Sequence, residues 1–117
     1  MNAISFVKDL YQAVDDKSIE RLSHFLAEDV CFSLANYPST KGKIEVLDAN
    51  KQFFTTIESM QHSLDNIWQI ENRLICHGSV HYVRLDKTKT SATFATLLTL
   101  QQNKIIDYLV YADLSAL

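Results

Sequence analysis

A chain of 117 residues with 11 Lys and Arg against 14 Asp and Glu carries a net charge of −3, which provides no basic field for phosphates. Its length suits a single domain, residues 1–117, that needs neither disulfide nor metal to fold, and no apolar run approaches the ~20 residues that cross a bilayer. Nucleic acid and membrane are therefore not expected partners. Met1-Asn2-Ala3-Ile4-Ser5-Phe6-Val7-Lys8-Asp9 lacks a basic start followed by a continuous apolar run, so a cytoplasmic protein is expected. Cys31 and Cys76 are too few and too isolated for a disulfide framework or a zinc site and read as buried free thiols.

From Ala3 to Val14 the residues Phe6, Val7, Leu10 and Val14 recur at helical spacing with Tyr11 beside them, which predicts a first helix. After Asp15-Asp16-Lys17, Ser18 can cap a second helix with Ile19, Leu22, Phe25 and Leu26 on its apolar face, stopping near Asp29. The β-prone run Val30-Cys31-Phe32-Ser33-Leu34 leads into Asn36, Pro38, Ser39 and Gly42, a strand followed by a loop that rims a pocket. Gly42 opens a third helix in which Ile44, Leu47, Phe54 and Ile57 fall roughly on one face, ending near Met60. Four strands follow at about 62–70, 74–85, 91–101 and 104–114, and their short links imply antiparallel pairing. No repeat or linker divides the chain. The order α-α-β-α-β-β-β-β predicts an α+β conical barrel, three N-terminal helices against a curved, mainly antiparallel sheet, with an apolar pocket at its mouth.

This plan, with Leu26-Ala27-Glu28-Asp29-Val30, the Gly42-led helix and a last strand running from Lys104-Ile105 to Tyr111-Ala112-Asp113, resembles the SnoaL-like, ketosteroid-isomerase-like branch of the nuclear transport factor two-like superfamily. The resemblance implies a conical barrel, usually a homodimer. It also implies a spread of activities: steroid isomerases, epoxide hydrolases, polyketide cyclases, dehydratases and domains with none demonstrated. Threaded on this chain, the isomerases' general-base aspartate falls on Leu34, their helix-one oxyanion tyrosine on Leu10 and their second oxyanion donor on Thr96. The epoxide hydrolases' arginine and aspartate fall near Ser79 and His81, and their last aspartate near Val110. Leucine neither accepts a proton nor donates a hydrogen bond, so the family's usual catalytic carboxylates are absent at these positions.

The same threading turns Ser79, His81 and Val83 inward. There His81 acts either as a general acid and base or as a polar point that orients a ligand. His62, at the junction of the third helix and the first long strand, is a second pocket candidate, while His24 and His77 read as structural or solvent-facing. Tyr108, with Ile106, Val110 and Ala112, faces inward as a phenol in an apolar cavity, or as a core tyrosine bonded to backbone. Phe32, Leu34, Phe54, Thr96 and Val110 complete the expected lining, with Tyr37 from the rim loop, and Trp68 and the remaining phenylalanines read as core. Val80, Tyr82, Leu97, Leu109 and Tyr111 would then form an outer apolar patch that a homodimer covers. The leading expectation is a pocket that binds a small hydrophobic molecule, with no cofactor and no metal. The alternatives are an isomerase, hydrolase or cyclase that uses His81, and a dimeric protein-interaction module.

Overall fold

The computed structural model describes residues 1–117. Helix α1 (Ala3–Asp15) starts where Asn2 Oδ1 accepts the Ser5 N–H at 3.0 Å and buries Val7, Leu10, Tyr11 and Val14. Ser18 caps α2 (Ile19–Ser23) as expected, but that helix is only five residues long. Leu26 to Asp29, expected at its end, already belong to strand β1 (Leu26–Leu34). A two-residue strand β2 (Thr40–Lys41), not foreseen, pairs antiparallel with Cys31 and Phe32. Gly42, at φ 96° in a region that only glycine enters freely, then opens α3 (Lys43–Thr55). Ile57 to Met60, expected in that helix, begin strand β3 (Ile57–Ile70). Strands β4 (Arg73–Arg84), β5 (Lys89–Gln101) and β6 (Lys104–Ala112) complete the chain's regular structure. Gln102 and Asn103, both at positive φ, form the two-residue turn whose twist suits the β5–β6 hairpin.

The six strands form one sheet in the order β2-β1-β6-β5-β4-β3. All pairings are antiparallel except β1 with β6, which brings Phe32 beside Tyr108 and Leu34 beside Val110. The inner face and the helices enclose the core, with Leu74, Cys76, Val80 and Tyr82 contributed by β4 and Phe94, Thr96, Leu98 and Leu100 by β5.

This reverses the face expected for β4. His81 points to the outer side, exposed, with Nδ1 at 2.9 Å from Ser91 Oγ, while Val80 and Tyr82, expected in the outer patch, lie inside. The sequence itself alternates apolar Leu74, Cys76, Val80 and Tyr82 with polar Arg73, His77, Ser79 and His81. Burial follows that polarity, and a one-residue slip in register exchanges the two faces of a strand. Trp68, expected in the core, is 48% exposed on the outer face. Its ring stacks on His77 at 5.5 Å.

Two contacts fix α1 to the start of β3 and so place the site. Lys17 Nζ donates to the carbonyls of Ile57 at 2.8 Å and Glu58 at 3.0 Å, and Asp15 reaches His62. Beyond His62, β3 bulges between Leu64 and Asn66 and comes so close to β4 that a Cβ on Gly78 would lie 1.9 Å from the Ser63 carbonyl oxygen.

Candidate functional site

A cavity of about 40 Å³, open at one side, lies between the inner sheet face and helices α1 and α3. Of its 16 lining residues 14 are hydrophobic, and the two exceptions are Asn50 and His62. Phe32 and Leu34 from β1 and Tyr108 and Val110 from β6 form one wall, with the Phe32 and Tyr108 rings edge to face at 5.1 Å. Phe53, Phe54 and Asn50 from α3 form the opposite side. The mouth is bounded by Tyr37, Pro38, Gln52 and Thr56, and Phe32, Leu34 and Phe53 are common to mouth and interior.

The polar groups gather at the inner end. Asp15, the last residue of α1, accepts the His62 backbone N–H on Oδ2 at 2.9 Å and meets His62 Nδ1 with Oδ1 at 2.6 Å. The two side chains are only 9% and 15% exposed, so this pair works in a medium poorer in water than the surface. The backbone N–H can only donate, which fixes one carboxylate oxygen, and the other is then the natural acceptor for Nδ1–H. With Nδ1 protonated, Nε2 carries the ring's lone pair. No protein group bonds Nε2, and the chain has no buried polar side-chain atom without a partner, so Nε2 reaches open space in the cavity.

Around this ring stand Tyr11, with centroids 4.3 Å apart, and Phe94, edge to face at 5.1 Å. Tyr11 lies one helical turn before Asp15 on the same face of α1. Its hydroxyl bonds Thr96 Oγ1 at 2.5 Å, and Tyr108 lies beside it. Burial, the largest cause, pushes the Tyr11 phenol well above its ordinary pKa, with the neighbouring Tyr108 adding to it. Burial likewise raises Tyr108, takes Tyr82 up to about 12 and takes the Cys76 thiol up to about 11. These groups are neutral hydrogen-bond donors and acceptors at ordinary pH. No three His, Cys, Asp or Glu side chains converge anywhere in the chain.

Of the residues expected in the pocket, Phe32, Leu34, Phe54, His62, Tyr108 and Val110 line this one cavity, and Tyr37 stands at its mouth. Thr96 is fully buried behind the wall, where it holds the Tyr11 hydroxyl. His81 is not in the cavity. Tyr11, Asp15 and Asn50 are not among the expected pocket residues, although Tyr11 lies beside the apolar stripe of the first helix. The family's helix-one tyrosine had been threaded on Leu10, which is core, whereas Tyr11, one residue on, lines the cavity.

The sequence model of the SnoaL-like domain matches residues 7–108. The chain belongs to the SnoaL-like domain family. No curated protein matches it in sequence. Solved structures match it in fold. A nuclear transport factor two-like protein of unknown function from Burkholderia pseudomallei K96243 superposes with a TM-score of 0.89 at 15% identity, over 99% of this chain and 94% of its own. A candidate SnoaL-like polyketide cyclase from Jannaschia sp. CCS1 gives 0.84 at 12% identity, over 97% and 87% of the two chains. An epoxide hydrolase of LEH-like type from M. tuberculosis gives 0.82 at 10% identity, over 97% and 84%. At these identities the likeness is one of fold, the SnoaL-like cone with an unclosed sheet. No helix of this SnoaL-like domain is long and apolar enough to cross a membrane.

Proposed function

We propose that this SnoaL-like domain binds a small, largely apolar molecule and catalyses proton transfer on it without a cofactor, with His62 as the acid and base and Asp15 as its positioning partner. The observation that carries this reading is the free Nε2 of an imidazole whose Nδ1 is held by a carboxylate and whose open side faces an apolar cavity. That arrangement suits removal of a proton from carbon next to a carbonyl. The C–H bond breaks, the proton goes to Nε2, and the electron pair moves to the carbonyl oxygen as an enolate. The neutral phenol of Tyr82 is the donor for that oxygen, and the proton returned from His62 to another atom completes an isomerisation. The candidate cyclase and the epoxide hydrolase among the structural neighbours support small-molecule chemistry in this cone, but the residues proposed here come from this chain's own geometry.

The test uses an enolisable apolar ketone, 2-tetralone, in deuterium oxide, with exchange of its C1 protons followed by NMR. The wild-type protein should accelerate exchange above buffer, and His62→Ala should lower the acceleration by about 100-fold or more. No acceleration, or acceleration undiminished in His62→Ala, overturns the reading.

The outer sheet face supports a homodimer as part of this proposal. Trp68, Ile75, Leu97 and Leu109 are cross-strand partners in one row over four strands, and Tyr111 beside them is 59% exposed. Size exclusion with light scattering should give a dimer mass that Leu97→Lys converts to monomer. A monomer at tens of micromolar wild-type protein refutes it.

A further inference from the structure

Asn50 lies on the inner face of α3 between Val46 and Phe54, one turn before and one turn after it, and is 8% exposed. Its Nδ2 donates to the Val46 carbonyl at 2.9 Å. A backbone carbonyl can only accept, so this bond fixes the orientation of the amide and makes Oδ1 the opposite, free end. No protein group donates to that oxygen. Because the chain leaves no enclosed polar atom unpartnered, the oxygen stands in open space, and the space that Asn50 lines is the cavity.

An asparagine at this place is costly. It is a poor helix former in mid-helix, and an aliphatic side chain here would complete an apolar wall that its neighbours Val46 and Phe54 already establish. An amide oxygen that opens onto an apolar cavity gains when a ligand donates to it. The cavity contributes no Lys or Arg to balance an anionic ligand, and its other free polar atom, His62 Nε2, is also an acceptor. Both open acceptors therefore ask the ligand for O–H or N–H groups, and the apolar remainder asks for a neutral hydrocarbon frame.

We propose that Asn50 Oδ1 is a hydroxyl-recognition point, and that the natural ligand is an uncharged, hydroxyl-bearing ring compound, a phenol or enol, rather than a carboxylate, a phosphate ester or a plain hydrocarbon. This deepens the reading of the same cavity given above, and it is tested by binding alone, so that its outcome is independent of whether His62 turns anything over.

The probes are p-cresol and its methyl ether, 4-methylanisole, nearly the same in shape but differing in the ability to donate. Titrations followed by NMR should show wild-type protein favouring p-cresol by about tenfold, the worth of one net hydrogen bond. His62→Leu should keep most of that preference and Asn50→Leu should lose it. In the unmodified protein, the Asn50 Cγ and Nδ2 resonances should shift with p-cresol and not with 4-methylanisole, a readout that does not depend on how well a variant folds. Equal affinity of the wild type for the two probes, no binding of either, a preference that survives in folded Asn50→Leu, or Asn50 resonances unmoved by p-cresol would each overturn the proposal.

Discussion

Replacing Asp15 by Asn changes one atom type at the centre of the site, and its consequences can be worked through from two distances. The carboxylate takes the His62 backbone N–H on one oxygen and Nδ1 on the other, at 2.9 and 2.6 Å. An amide has only one acceptor. If its oxygen stays with the backbone N–H, its NH2 meets Nδ1, and Nδ1 must then accept, which moves the ring proton to Nε2 and turns a base into a donor. If the amide turns over, its NH2 opposes the backbone N–H instead. Either way one hydrogen bond to a charged group is lost at a place where the side chains are 9% and 15% exposed, a cost of about 1.5–3 kcal/mol. For a domain of this size that corresponds to a fall in melting temperature of roughly 6–12 °C. Urea denaturation gives the free energy, and long-range proton–nitrogen NMR correlation shows which ring nitrogen of His62 carries the proton. Ketone exchange should fall by about 10²–10⁴. A variant that loses less than about 0.5 kcal/mol and keeps Nε2 unprotonated would show that the carboxylate does not set the state of the ring, and the dyad reading would fail.

Gly78→Ala should prevent accumulation of folded protein, because its Cβ would lie 1.9 Å from the backbone oxygen of Ser63 and strand backbone cannot yield that far; a cooperative melting transition within about 2 kcal/mol of wild type would refute this. Thr96→Val leaves the buried Tyr11 hydroxyl without its partner and should cost about 1–3 kcal/mol in urea titrations, and adding Tyr11→Phe should recover part of that; strictly additive losses would show that the two hydroxyls do not interact. Alkali should unfold the chain. Folding raises the Tyr82 pKa from 10.0 to about 12, so its contribution, on the order of 3 kcal/mol, is fully present below pH 10 and is lost as pH rises through 12, with Tyr11 and Tyr108 acting in the same direction. Tyrosinate absorbance at 295 nm and far-UV circular dichroism should change together in that window, and ionisation of all five tyrosines with the dichroism intact would contradict it.

The second and third helices end earlier than their apolar spacing predicts. Leu22 and Leu26 lie four apart and Phe54 and Ile57 three apart, spacings that read as helix. In the structure Leu26 and Ile57 open strands whose pairing register shifts between Leu26 and Cys31 and between Ile57 and Ser59, so the plain alternation that marks a strand is broken there. The unbulged β4–β5 pair and the Gln102-Asn103 turn are legible. The inverted face of β4 has a different origin: the threading on distant relatives overrode a plain alternation of polar and apolar residues. At the site, Phe32, Phe54, His62 and Tyr108 could be found from local pattern, but the partner of His62 could not. Asp15 is 47 residues away. It sits in an Asp15-Asp16 pair of which Asp16 is the ordinary surface member, bonded to Arg21 at 2.7 Å. The usable signal was Tyr11, four residues before Asp15 on a face that is otherwise core.

The distribution of protons in the cavity follows from burial more than from any one hydrogen bond. Burial penalises the charged form of a phenol, so Tyr11, Tyr82 and Tyr108 keep their protons and serve as neutral donors. The one carboxylate of the site lies behind His62 with both oxygens engaged, and it presents no free oxygen to a ligand. What faces the ligand is therefore an acceptor nitrogen, an acceptor amide oxygen and phenols, set in hydrocarbon, with no fixed charge directed at the bound molecule. Such a site holds an already charged substrate poorly, because nothing replaces its water. It suits a neutral molecule, and in the proposed reaction charge would appear on that molecule only at the proton transfer to His62, beside the Tyr82 phenol. The same logic makes the helix-to-strand junction the sensitive point of the fold: the contact that orients the base is also one that fastens α1 to β3, so loosening either disturbs both stability and chemistry.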